Sequence, residues 1–106
     1  MSLAWVYLII AGLLEVCWAI GLKYTEGFTK LTPSVFTIVT FSLSMFLLAK
    51  ATHTLPIGTA YAIWVGIGVL GAVVLGVYFF NEPISLMRGF FVILLIISII
   101  GLKITA

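Results

Sequence analysis

The chain has very few charged residues. Only 8% of its 106 residues are Asp, Glu, Lys or Arg, whereas a soluble domain carries roughly 25%. Because hydrophobic residues make up 64% of the chain, it cannot cover a water-facing surface with polar groups. The net charge of +2 and the lack of any basic run disfavour a nucleic-acid partner. We therefore expect one small membrane domain over residues 1–106.

Cysteine and histidine are equally scarce. Cys17 is the only cysteine, which excludes an intrachain disulfide and indicates a small apolar packing residue. His53 is the only histidine and lies in a predicted loop with no Cys, Asp or second His near it. We expect neither a metal site nor a cofactor. No nucleophile stands beside a base, so an enzyme is disfavoured.

Four apolar segments are each long enough to cross a bilayer. Twenty helical residues span about 30 Å, the thickness of the hydrocarbon core. The first segment has no Lys or Arg before it, so we expect a permanent span and not a signal peptide. The sequence predicts an all-α protein with spans over about 3–22, 33–49, 57–80 and 89–104. The second span is predicted to begin at Pro33 with Thr32 as its N-cap.

Glu15 is the only charged residue of the first span. A carboxylate at that depth costs on the order of 3 kcal/mol unless it is paired, hydrated or protonated, so Glu15 is a candidate functional site. Its helix face carries three small residues and one indole donor: Ala11, Gly12, Ala19 and Trp18. A buried carboxylate that holds either a proton or an organic cation, but not both, is sufficient for antiport.

Polar and aromatic side chains of the next two spans complete the candidate site. Thr37, Thr40 and Ser44 share one face of the second span, where their hydroxyls face a site or bond back to their own helix. Tyr61 and Trp64 of the third span suit recognition of a cation. An interfacial aromatic belt is the alternative interpretation, mainly for Tyr61.

The third span is rich in glycine. Gly66, Gly68 and Gly71 either form a packing seam or allow the helix to bend during transport, and the pattern fits both. The fourth span has Ser98 as its only polar side chain, so we expect it to pack against its own chain or a second copy. In the loop before it, we expect Glu82 and Arg88 to form a solvated pair.

The positive charges hardly favour one orientation. Two lysines, Lys50 and Lys103, lie on the predicted side of the N-terminus, and three cations, Lys23, Lys30 and Arg88, lie on the other side. The chain could therefore insert either way up. One chain offers one buried carboxylate, whereas an antiparallel pair would offer two around a shared cavity. We therefore predict a homodimer.

The sequence closely resembles the small multidrug resistance family over nearly its whole length. The resemblance rests on the glutamate of span one, Lys23 after it, and the runs at 26–29 (Glu-Gly-Phe-Thr) and 55–64 (Leu-Pro-Ile-Gly-Thr-Ala-Tyr-Ala-Ile-Trp). With Trp18 three residues after Glu15, the sequence resembles the guanidinium-exporter subtype of this family. The broad multidrug subtype usually has a small residue there.

The resemblance implies a dual-topology, antiparallel homodimer in a bacterial inner membrane that exchanges protons for guanidinium at Glu15 of both subunits. Trp18 and Ser44 would hydrogen-bond the carboxylate, Tyr61 and Trp64 would complete the pocket, and Gly12 would leave room for the ligand. Span four would form the dimer contact. Val65 departs from the usual Thr or Ser and so removes a hydroxyl from the pocket, and small alkyl-substituted guanidinium ions or quaternary ammonium compounds are therefore also expected to pass.

Two alternatives stay open on the sequence. One is a polyspecific exporter of quaternary ammonium and other hydrophobic cations, which the bulk of Trp18 disfavours. The other is a non-transporting membrane subunit whose Glu15 pairs with a cation of another protein. The first predicts transport of large apolar cations, and the second predicts no transport by the purified chain.

Overall fold

The computed structural model describes residues 2–105, and over this range the chain forms four helices. Their bounds are α1 Leu3–Tyr24, α2 Leu31–Ala51, α3 Ile57–Phe80 and α4 Leu86–Thr105. Each helix is long and apolar enough to cross a membrane, judged by length and composition. In the hydrocarbon core of a membrane no water can pair with backbone N–H and C=O groups, and a helix pairs them within itself. The prediction of a helical protein with four apolar helices is confirmed.

Two helices begin earlier than the sequence predicted. α2 begins at Leu31 with Lys30 as its N-cap, so Pro33 is its third residue. The first four amides of a helix have no intrahelical acceptor, so a proline there loses no hydrogen bond. α4 begins at Leu86 because the Arg88 N–H donates to Ser85 Oγ at 3.1 Å, which caps the first turn.

α1 and α2 run antiparallel and pack closely. The backbone of Ala11 contacts Ser44, whereas Gly21, further along α1, contacts the earlier residue Thr37 of α2. A β-carbon at Gly21 would overlap the Thr37 hydroxyl, so glycine at this position brings the two helices together.

α1 and α3 run parallel and also pack closely. A β-carbon at Gly12 would lie 2.8 Å from the Ile67 side chain, and one at Gly71 would overlap Val16. The contact therefore advances in the same direction along both helices. α1 lies between α2 and α3, which have few contacts with each other.

α4 lies at the edge of the chain. Among the helices of residues 2–105, its backbone approaches only that of α3, where the Ile99 side chain packs against Gly66. No residue of α4 is buried in the described part of the chain. Its apolar outer face is therefore available to lipid or to another protein surface.

An ion pair connects α1 to the loop between α3 and α4. Lys23 Nζ lies 3.6 Å from a carboxylate oxygen of Glu82 and 4.8 Å from the ring centroid of Phe80. The expected pairing of Glu82 with Arg88 is wrong: Glu82 lies against Lys23, and the Arg88 guanidinium donates to the carbonyl of Pro83. The turn after α3 directs Glu82 back toward α1, and Asn81 makes this turn at φ 52°.

Candidate functional site

Glu15 is buried at the contact between α1 and α3. Only 9% of its surface is exposed, and its Oε1 atom has no hydrogen-bond partner in the described chain. The two ion pairs found among residues 2–105 are Lys23–Glu82 and Lys30–Glu26, so neither involves this carboxyl group. An unpaired acid in an apolar environment favours its protonated form or a bound cation.

The Glu15 carboxyl group lies directly on the backbone of Gly68. A β-carbon built at Gly68 would overlap the Cδ and Oε1 atoms of Glu15. Glycine at this position is therefore what gives the carboxyl group its place between the helices. Gly68 has this specific contact in addition to the packing role that the sequence predicted.

A hydrogen-bond chain lies one turn before Glu15. The Trp64 Nε1–H donates to Ser44 Oγ at 2.9 Å, and the Ser44 hydroxyl donates to the Ala11 carbonyl at 2.7 Å. Ser44 is fully buried, and Trp64 is only 5% exposed. The chain connects α3 to α1 through α2.

The polar face predicted for α2 is buried. Thr37, Thr40 and Ser44 are all at most 9% exposed, whereas Ser42 is exposed and bonds back to its own helix. Thr40 also bonds back, donating to the Phe36 carbonyl at 2.8 Å. The Thr37 hydroxyl has no partner in the described chain. Back-bonding therefore describes Thr40, but neither Thr37 nor Ser44.

The two remaining aromatic candidates differ in exposure. The Trp18 ring packs edge-on against Phe41 with centroids 5.2 Å apart, and its Nε1–H is buried without a partner in the described chain. Tyr61 is 53% exposed and leans on Trp64 with centroids 5.4 Å apart. Tyr61 therefore lies at the edge of the site and not inside it.

Trp18 and Ser44 make no hydrogen bond to Glu15 in this structure, although the resemblance implied one from each. The single proton of Ser44 is donated to Ala11, and the Trp18 Nε1–H is unpaired. The space expected beside Gly12 is filled by the Ile67 side chain. The single chain thus places the expected residues around Glu15 without completing the expected contacts.

A cavity of about 230 Å³ lies between α1, α2 and the loop that joins them. It is mostly apolar, and its lining residues are Trp18, Leu22, Phe28, Thr37, Ile38 and Phe41. This α1–α2 cavity shares Trp18 and Thr37 with the candidate residues, and Glu15 is not among its lining residues.

The described residues offer no group of three or more His, Cys, Asp or Glu side chains that could hold a metal ion. His53 is exposed in its loop, and Cys17 is exposed on the outer face of α1.

A family model described as Small Multidrug Resistance protein matches residues 3–96 of this chain. The chain belongs to this family. The family match includes Glu15 and every other candidate site residue. The sequence-based identification is thereby confirmed.

Several bacterial relatives match nearly the whole length of the chain. A guanidinium exporter of Yersinia pseudotuberculosis is 53% identical over 104 residues, which cover 98% of this chain and 100% of the relative. A guanidinium exporter of Salmonella typhimurium is also 53% identical, with 98% and 99% covered. A guanidinium exporter of Escherichia coli K12 is 52% identical over 103 residues, with 97% and 98% covered.

Sequence reasoning missed two features of this family member's site. The Ala11 carbonyl accepts the Ser44 hydroxyl, and backbone acceptors give no signal in a residue pattern. The small side chain of Ala11, which is fully buried, was the available hint, because it permits close approach of α2. The second feature is the contact of Gly68 with the Glu15 carboxyl group, which depends on the rotation of α3 against α1.

Proposed function

We propose that this chain is a proton-coupled exporter of guanidinium in the inner membrane of a bacterium. The relatives that are 52–53% identical over nearly their full length are named guanidinium exporters, and their sources are bacteria. The four apolar helices support a multi-pass membrane protein.

The observation that carries the proposal is the buried, unpaired carboxyl group of Glu15. Its charge is uncompensated within the described chain, so it gains from binding either a proton or a cation. Guanidinium is planar and presents paired N–H donors that match a carboxylate bidentately. Protons that bind from the outside, down their gradient, displace guanidinium from Glu15, so the cation leaves on the side from which the protons come.

The working unit is an antiparallel homodimer in which both Glu15 side chains share one site. A single chain supplies one buried acid, and α4, none of whose residues is fully buried, offers an apolar face for the second copy. The nearly balanced lysines and arginines at the two membrane faces are compatible with insertion in both orientations.

In this site Glu15 binds the substrate and the proton, and Trp18 and Ser44 orient its carboxylate. Tyr61 and Trp64 provide aromatic surface for the cation, and Gly12 leaves room for the ligand once the Ile67 side chain, which fills the space beside it in the single chain, moves away. The buried, unpaired Trp18 donor supports its role, because an unsatisfied indole N–H favours an acceptor that arrives on assembly. Gly66, Gly68 and Gly71 allow close packing and bending of α3.

The test is guanidinium uptake into proteoliposomes of the purified protein under an imposed proton gradient. We expect gradient-driven uptake that Glu15→Gln abolishes. Glu82→Gln is the matched control, because it neutralises an acid at the membrane face and should retain transport. Guanidinium binding should weaken as the pH falls, since protons compete for Glu15, and this pH dependence should be absent in Glu15→Gln.

A folded wild-type protein that takes up no guanidinium would contradict the proposal and favour a non-transporting subunit. Uptake that persists in Glu15→Gln would refute Glu15 as the coupling site. A polyspecific exporter is the second candidate, favoured by the apolar α1–α2 cavity and by Val65. Proton-driven uptake of tetraphenylphosphonium as fast as that of guanidinium would support it.

A further inference from the structure

The hydrogen bonds around Ser44 have directions that chemistry fixes. An indole N–H can only donate and a carbonyl oxygen can only accept, so Trp64 donates to Ser44, and Ser44 donates to Ala11. The hydroxyl has one proton, so it can serve only one acceptor at a time. The same group cannot bond Ala11 and a Glu15 carboxylate simultaneously.

Ala11 and Glu15 are neighbours on one face of α1. They are four residues apart, and a helical glutamate leans back toward the preceding turn, which is the level of Ala11. On α3, Trp64 and Gly68 are also four residues apart. Trp64 is linked to Ala11 through Ser44, and Gly68 contacts the Glu15 carboxyl group, so the two helices match turn by turn. Ser44 therefore lies beside the turn toward which the Glu15 carboxyl group leans.

In this structure Oε1 of Glu15 is buried and accepts no hydrogen bond, while the Ser44 hydroxyl donates to the Ala11 carbonyl. A carboxylate without a donor is costly at this depth, so the arrangement suits the protonated acid. Ionisation would make the Glu15 carboxyl group a stronger acceptor, since hydrogen bonds to charged groups are roughly twice as strong as neutral ones. A turn of the Glu15 side chain toward the level of Ala11 would then bring it to Ser44.

We propose that the Ser44 hydroxyl changes its hydrogen-bond acceptor with the state of Glu15. It donates to the Ala11 carbonyl when Glu15 is protonated and to the Glu15 carboxylate when Glu15 is ionised. Trp64 is a positioning residue, because its N–H holds the Ser44 oxygen in place while the O–H bond and the carboxyl group turn. The binding site thus gains its serine donor only when it has released its proton.

Few other titratable groups face this switch. α1 packs against α2 and α3, whose charged or titratable side chains are Lys50, Tyr61 and Tyr78. Lys50 lies over the rings of Tyr7 and Phe46 at one end of the bundle, and both tyrosines of α3 are more than half exposed. On α1, Cys17 is exposed and Lys23 pairs with Glu82.

The Ala11 carbonyl can be observed by itself. The dipeptide Ala-Gly occurs once in the chain, at Ala11–Gly12, so carbonyl-labelled alanine with nitrogen-labelled glycine gives one carbonyl–amide NMR signal. We expect the Ala11 carbonyl shift to change in one step as Glu15 titrates, and to stay at its high-pH value when guanidinium is bound. An Ala11 shift that is the same in the protonated and guanidinium-bound protein would overturn the proposal.

Ser44→Ala separates the switch from other effects of ionisation on α1. The Ala11 step should become much smaller in this variant, keeping only the part that ionisation itself imposes on α1, and guanidinium should bind about ten- to a hundredfold more weakly. Ser42→Ala is the matched control, since its exposed hydroxyl bonds only the Ile38 carbonyl, and it should keep both the step and the affinity. An undiminished step in Ser44→Ala would refute the switch.

Trp64→Phe tests the positioning role. It removes the indole donor, so the Ala11 step should shrink and guanidinium affinity should fall about fivefold. A full step with wild-type affinity would exclude positioning by Trp64. The inference rests on Glu15 being the proposed site. A protein that transports guanidinium through Glu15 but has a constant Ala11 signal would retain the proposed function and reject the switch.

Discussion

Gly68→Ala should separate the function of Glu15 from the stability of the fold. The new β-carbon would overlap the Cδ and Oε1 atoms of Glu15. To restore ordinary contact at about 3.4 Å, the carboxyl group must move by about 1 Å. It is the flexible end of a side chain, so the motion is inexpensive. Alanine also gains up to about 1 kcal/mol of helix propensity over glycine.

We therefore expect the unfolding free energy of Gly68→Ala to stay within about 1 kcal/mol of the wild type. The effect on guanidinium should be large, because a displacement of about 1 Å in a preorganised site can cost about 100-fold. A loss of ten- to a hundredfold in affinity with little change in stability would fit the contact seen here.

Gly71→Ala is the matched control at the same α1–α3 contact. Its β-carbon would overlap Val16, whose branched side chain is stiff, so overpacking should cost about 1–3 kcal/mol of stability. The fraction that folds should bind guanidinium almost normally. Gly58→Ala has open space around it and should be neutral for binding.

The assay measures guanidinium affinity and thermal unfolding in the same detergent for all three variants. If Gly68→Ala binds like the wild type, the position of the Glu15 carboxyl group on Gly68 is not needed for binding. If Gly71→Ala loses as much affinity as Gly68→Ala at equal folding, separation of α1 from α3 explains both losses, and the reasoning from the carboxyl contact is refuted.

Two further predictions concern stability. Thr37→Val should raise the unfolding free energy by about 1 kcal/mol, because it replaces a buried, unpartnered hydroxyl with a methyl group. Thr40→Val loses a hydrogen bond and should not raise it. Thermal unfolding of the two variants side by side checks this, and a destabilised Thr37→Val would contradict it. Lys23→Glu and Glu82→Lys should each cost less than about 1 kcal/mol and should compensate each other when combined, because the pair is partly exposed. A double-mutant cycle with zero coupling would exclude a stabilising role for this pair.

The approximate extents of the helices could be predicted because they depend on local properties of the chain. Long apolar runs, with Glu15 as the only charge in the first, require helices in a membrane. The face that carries Thr37, Thr40 and Ser44 follows from helical periodicity, and the structure buries all three. The sequence predicted the starts of α2 and α4 too late. α2 begins at Leu31 because proline is tolerated throughout the first turn, and α4 begins at Leu86 because Ser85, outside the apolar run, caps it.

The partners of these side chains could not be predicted in the same way. Nothing in the sequence distinguishes a Ser44 that bonds Glu15 from one that bonds the Ala11 carbonyl, since both acceptors lie on the same face of α1. The exposure of Tyr61 was equally open, because it depends on how far α3 is rotated against α1.

By itself, the sequence determined that this protein is a four-helix membrane protein with one acid inside its first helix. Composition and periodicity were sufficient for this prediction, because the bilayer requires each helix separately to be long and apolar enough to cross it. Only the tertiary structure decided that Gly68 supports the Glu15 carboxyl group and that Ser44 connects Trp64 to Ala11. These contacts depend on the rotation and axial shift between helices, which all packed side chains set together.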